Sequence, residues 1–128
     1  DEIVGDAFGG QAVPWHLTTT EFVAELDRVL RDDGVYVMNV IDGGANRFAE
    51  AQMATLLDNF DHAAVLLPVG GVDDVPRNQV LYASDAPLPA VPGDAIDGLP
   101  GPPAADFAAG ARILRDDFAP VDQLMATR

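Results

Sequence analysis

The run VYVMNVI, residues 35 to 41, constrains this chain most. It is apolar and rich in β-branched residues, interrupted only by the amide of Asn39. A run of that kind is how a central strand covered on both faces of a sheet reads. On its amino-terminal side, Phe22, Val23, Leu26, Val29 and Leu30 fall on one stripe at helical spacing. On its carboxyl side a second helix is expected over about Asn46 to Asn59, with Phe48, Met53, Leu56 and Leu57 as its apolar side. A covered strand between two amphipathic helices belongs to an α/β sheet with helical crossovers, and crossovers join parallel strands.

The rest of the chain extends that pattern. EIVGD is short and β-branched and ends at Asp6, which predicts a buried first strand. HAAVLLPV and QVLYAS predict a third and a fourth. Only GGVDDVPRN separates these two, too little for a helix, so they should form an antiparallel pair at one edge. The order strand, helix, strand, helix, strand, strand is that of an α/β fold in one domain. Residues 85–103 are rich in Pro and Gly and read as a long surface loop. AADFAAGARIL suggests a short helix running into an extended piece, and APVDQLMA a last helical turn with Pro120 near its start. For the first helix, Thr18 is the expected N-cap, because Glu21 three residues on completes a capping box, with Thr19 the alternative. Gly34 is the expected glycine just past its end.

Charge and composition narrow the chemistry. The net charge is −14, with seven arginines and no lysine, a surface that repels nucleic acid and anionic lipid. The absence of cysteine excludes disulfides, thiolate chemistry and cysteine-based zinc sites. No metal-ligand spacing is present, His62 has no nearby His or Cys, and no metal is expected. The glycine pairs in GGQAV, DGGAN and VGGVDD fit neither the dinucleotide fingerprint nor the P-loop. No run approaches the ~20 apolar residues of a membrane span. No signal-peptide pattern is visible within these residues, so a cytoplasmic protein is the expectation.

Five positions stand where chemistry could occur. Asp6 lies at the carboxyl end of the first strand, where ligands bind in open α/β sheets; the same place suits an acid that starts a turn. Asn39 and Asp42 lie toward the same end of the adjacent strand. An amide inside an apolar strand must find partners, and a neighbouring loop would satisfy Asn39 as well as a ligand would. Trp15 could wall a pocket and His16 could titrate near neutrality, though both also suit the packing of a loop. The pairs Asp73–Asp74 and Asp116–Asp117 read as solvated turns.

These residues resemble a known family. DAFGGQAVPWHLTTTEFVAELDRVLRDDGVYVMNVID is similar to the second half of spermidine synthase-like proteins, the polyamine aminopropyltransferase branch of the class I S-adenosylmethionine-dependent methyltransferase fold. There a strand ends in Asp, a loop with Pro and an HLTT-EF-like run leads to a helix, and a tight turn feeds a strand ending in Asn. Here those features are Asp6, Pro14, His16 to Phe22, Asp33–Gly34 and Asn39. LRDDFAPVDQL, residues 114 to 124, is similar to the family's carboxyl-terminal run.

The resemblance implies the C-terminal half of a Rossmann-like methyltransferase sheet, lacking the N-terminal half that binds the nucleoside. It implies that Asp6 orients and deprotonates an attacking amine such as putrescine, with Trp15, His16 and Asn39 at the substrate. Decarboxylated S-adenosylmethionine or S-adenosylmethionine would be the co-substrate of the parent protein, and a small-molecule amine or methyl acceptor its partner. The family's second acid, three residues on, is Gly9 here. That departure leaves plain methyl transfer, or a non-catalytic homologue, as alternatives. The chain alone should bind no nucleoside and turn nothing over. The first strand should have an open edge, so self-association into a homo-oligomer is expected.

Overall fold

In the computed structural model, residues 1–6, 14–43, 45–68, 75, 77–88 and 98–126 are described. Among the described residues, five strands, β1 (Glu2–Gly5), β2 (Val35–Asp42), β3 (His62–Pro68), β4 (Arg77–Ser84) and β5 (Gly98–Pro100), form one sheet in the order β1-β2-β4-β3-β5. Four helices among them accompany it: α1 (Thr20–Val29), α2 (Arg47–Leu57), α3 (Ala104–Phe107) and α4 (Val121–Ala126). A 3₁₀ turn, Trp15–Leu17, precedes α1.

The expected crossover geometry is present: β1 pairs with β2 in parallel, Glu2 opposite Val35 and Gly5 opposite Met38. The expected antiparallel pair is β3 with β4, Ala64 opposite Tyr82. Its order in the sheet is less simple than the spacing suggests. β4 inserts between β2 and β3 and is antiparallel to both, with Val37 opposite Tyr82 and Asn39 opposite Val80. The outer edge of β3 is taken by β5, which pairs Leu66 with Pro100. A short strand therefore lies inside the segment expected to be loop throughout; of that segment, residues 89–97 lie outside the described residues.

Alternation along the strands divides the sheet into two faces. Tyr36, Met38, Val40, Leu81, Ala83 and Val65 share one face and join Val23, Leu26, Phe48, Met53, Leu56 and Leu114 in a single core. Helix α2 lies across this face and is buried nearly all round, with Phe48, Ala49, Ala51, Gln52, Met53, Thr55 and Leu56 all inside. The opposite face carries Val37, Asn39, Ile41, Val80 and Tyr82, each only half-buried. The expectation that β2 is fully covered on both faces thus holds for one face only. Nor is β1 a buried strand in this chain: it stands at the sheet edge, and Val4 is 63% exposed. Gly5 is fixed by its neighbour, because a side chain there would collide with the Tyr36 hydroxyl. Burial pushes the pKa of that hydroxyl up to about 12.

Helix α1 corrects four local expectations. Its N-cap is Thr19, not Thr18: the Thr19 hydroxyl accepts the backbone N–H of Phe22 at 3.2 Å. Thr18 is fully buried and its hydroxyl donates to the Trp15 carbonyl at 2.6 Å. Glu21 does not reach back to close a capping box; its carboxylate accepts the backbone N–H of Asp116 at 3.0 Å. Val29 drops out of the buried stripe, 56% exposed, because the helix ends there and Leu30 turns extended. Gly34 is not the C′ residue. It closes a turn on the Arg31 carbonyl, and a Cβ there would stand 2.9 Å from the Leu30 side chain.

The carboxyl-terminal run is stitched to the helices rather than laid over them. The backbone N–H of Thr20 donates to the Leu114 carbonyl at 2.7 Å, and the N–H of Leu114 donates to the Thr55 hydroxyl at 2.9 Å. The Thr19 hydroxyl donates to Asp116 at 2.6 Å. Among the described residues no helix is long and apolar enough to cross a membrane.

Candidate functional site

The end of β1 and the middle of β2 bring two of the expected site residues together. Asp6 follows the last residue of β1, and the parallel register that sets Gly5 opposite Met38 sets Asp6 beside Asn39. The Asn39 Nδ2 donates to the Asp6 carboxylate at 3.3 Å and to the Asn78 Oδ1 at 3.4 Å. Both bonds are long for N–H···O geometry, so they orient the carboxylate more than they clamp it. The result is a polar row, Asp6–Asn39–Asn78, across three neighbouring strands on the open face. Asp6 is exposed, and one hydrogen bond leaves most of its acceptor capacity for a ligand.

Asn78 is the residue that sequence reasoning missed. Its role depends on β4 lying next to β2, and no local pattern in RNQVLYAS discloses that neighbour. Asp42, expected in the same crevice, is elsewhere: it points into the core face, fully buried. Its carboxylate accepts the backbone N–H of Ala49 in the first turn of α2 at 3.0 Å, a structural use. Beside it, Asn46 adopts the left-handed conformation at φ 58° and accepts the Gln79 amide at 2.8 Å.

Trp15 and His16 form a second pair. They meet edge to face, with ring centroids 5.7 Å apart and planes at 85°. Trp15 is 49% exposed and walls an open cleft of about 320 Å³ with Asp116, Phe118 and Pro120. No hydrogen bond joins this pair to Asp6 or Asn39 among the described residues. Residues 7–13, which connect Asp6 to the turn and include Gly9, lie outside them. Among the described residues no group of His, Asp or Glu is arranged to hold a metal ion.

The two stretches that carry the family resemblance touch each other. The TTTEF run gives Thr19, Thr20 and Glu21, and the LRDDF run gives Leu114 and Asp116, as partners in the bonds described above.

No family model matches this chain, and no curated protein matches it. A solved structure does: a probable spermidine synthase from Corynebacterium glutamicum ATCC 13032, with a TM-score of 0.80 and 26% identity. The match covers 91% of this chain and 47% of that one. This chain is built like half of that probable spermidine synthase. The spermidine synthase-like fold expected from the two motif runs is therefore present, and the chain spans just under half the length of the protein it matches.

Proposed function

We propose that this spermidine synthase-like chain carries the amine-binding side of a transferase, with Asp6 as the group that holds and deprotonates the acceptor. The observation that carries this reading is the Asp6–Asn39 pair. It sits at the carboxyl end of a parallel strand, oriented from behind by an amide, on the open face of a sheet that overlays on half of a probable spermidine synthase. A carboxylate so placed accepts a hydrogen bond from an ammonium group. It takes one proton as the amine nitrogen attacks. In the aminopropyl reaction the new C–N bond forms as the C–S⁺ bond of decarboxylated S-adenosylmethionine breaks, and neutral methylthioadenosine leaves with the electron pair. Trp15 and His16 would close the acceptor side. The donor would be held by polypeptide outside this chain, so the chain alone would be inactive.

One feature favours a second reading. Gly9 stands where the family places a second acid for the diamine, which suits methyl transfer from S-adenosylmethionine to another acceptor. Ligand-induced thermal stabilisation of the complete gene product separates the two. Decarboxylated S-adenosylmethionine should raise Tm, putrescine should add a further increment, and Asp6→Asn should remove only that increment. Stabilisation by S-adenosylhomocysteine alone would replace the aminopropyl reading with methyl transfer. Silence from all three ligands would leave a non-catalytic homologue.

The chain on its own should associate with itself through the outer edge of β1 and the half-buried face beside it. Light scattering that finds a monodisperse monomer would refute that part.

A further inference from the structure

On the helix side of the sheet, away from Asp6, two arginines line one cleft. Arg47 is the first residue of α2, and Arg112 lies in the extended piece after α3. Glu50 and Ala109–Ala111 line the cleft with them, and its volume is about 310 Å³. Gly110 makes the turn with φ +75°, a conformation that suits glycine, and a Cβ there would meet nothing within 4 Å. The Arg112 guanidinium is held over the Phe118 ring, 4.5 Å from its centroid, which limits its freedom. The chain has 21 acids against seven arginines, so carboxylates far outnumber their possible cationic partners. Even so, neither Arg47 nor Arg112 takes part in a salt bridge among the described residues.

Two arginines lining one concave, partly apolar space make a recognition element for an oxyanion, since each guanidinium can donate paired hydrogen bonds to a carboxylate or a phosphate. We propose that this cleft binds a small anion bearing a carboxylate or phosphate group, at a site separate from the Asp6 row. Ala51 and Leu124 give it an apolar wall for a short aliphatic body. The net charge of −14 disfavours polyanions, so the ligand is a small molecule rather than a nucleic acid. Glu50 tempers the site. Burial holds its carboxyl above the ordinary value, Asp42 adds to that, and Arg47 opposes it.

The test is an NMR titration of the 128-residue chain, once with inorganic phosphate and once with glutarate. Saturating shifts at Ala109–Arg112 and Arg47 in either series support the proposal, and the series that saturates assigns the anion class. Arg47→Gln and Arg112→Gln should each weaken binding about tenfold or more, the loss of charge-assisted hydrogen bonds. Glu50→Gln should strengthen it. Arg28→Gln, whose side chain is already paired with Glu25, should leave it unchanged. Both cleft arginines are exposed, so melting curves of the variants should match the parent and confirm that they fold. No saturation with either anion, or an equal loss in Arg28→Gln, overturns the proposal.

Discussion

The two faces of the sheet differ more than any two elements of the chain. On the helix side, Val40, Phe48, Met53, Leu56 and Leu81 show no measurable exposure, and even the polar Asp42 is sealed in with a backbone partner. On the other side, Val37, Ile41, Val80 and Tyr82 alternate out of the same strands yet stay half-buried, with the Asp6–Asn39–Asn78 row among them. The contrast separates stability from chemistry. One face consumes its apolar area in a packed core. The other leaves apolar area and polar groups available to something else.

The largest test of that contrast is a core truncation. Phe48→Ala should cost about 3–5 kcal/mol in denaturant unfolding, because it empties a fully packed site. Thr19→Ala comes next, at about 1–2 kcal/mol, since the N-cap bond and the bond to Asp116 are lost together. Val80→Ala on the open face should cost under about 1 kcal/mol at high dilution. If it costs as much as Phe48→Ala and the cost shrinks on dilution, a second copy covers that face in solution. The smallest effect should be a gain. The Asp85 carboxyl bonds to Asp27, and burial and the charges of Asp85, Asp61 and Asp32 act with it, lifting the Asp27 pKa from 3.8 to about 6. A raised carboxyl pKa stabilises the fold below the ordinary value, and that contribution is lost as pH rises through about 6. Asp27→Asn should therefore raise Tm above pH 6 relative to the parent, and a pH series of melting curves checks it.

The elements on the helix side were legible in the chain because their signals are local. The stripe over Val23, Leu26 and Leu30 and the spacing of Phe48, Met53 and Leu56 report a helix whatever surrounds them. The position of β4 was not legible, since QVLYAS reads the same at an edge or in the interior. From that one non-local fact follow the role of Asn78 and the antiparallel partner of β2. The N-cap was misassigned for a similar reason: Glu21 has the spacing of a capping box, but Asp116, 95 residues away, claims its carboxylate. Asp6, Asn39 and Asp42 were expected in one crevice because parallel strands joined by a crossover place their carboxyl ends side by side, and alternation along β2 keeps Asn39 there but turns Asp42 into the core.

The interior seat of β4 also orders events in time. β2 and β3 have no direct pairing, and β4 is the strand that bonds to both. Until Ser84, the last residue of β4, is made, β2 and β3 are joined through α2, which packs against both, and not through backbone bonds to each other. Only β4 completes the ladder between them, so closure of this sheet waits on its late-made central strand rather than growing outward from β1.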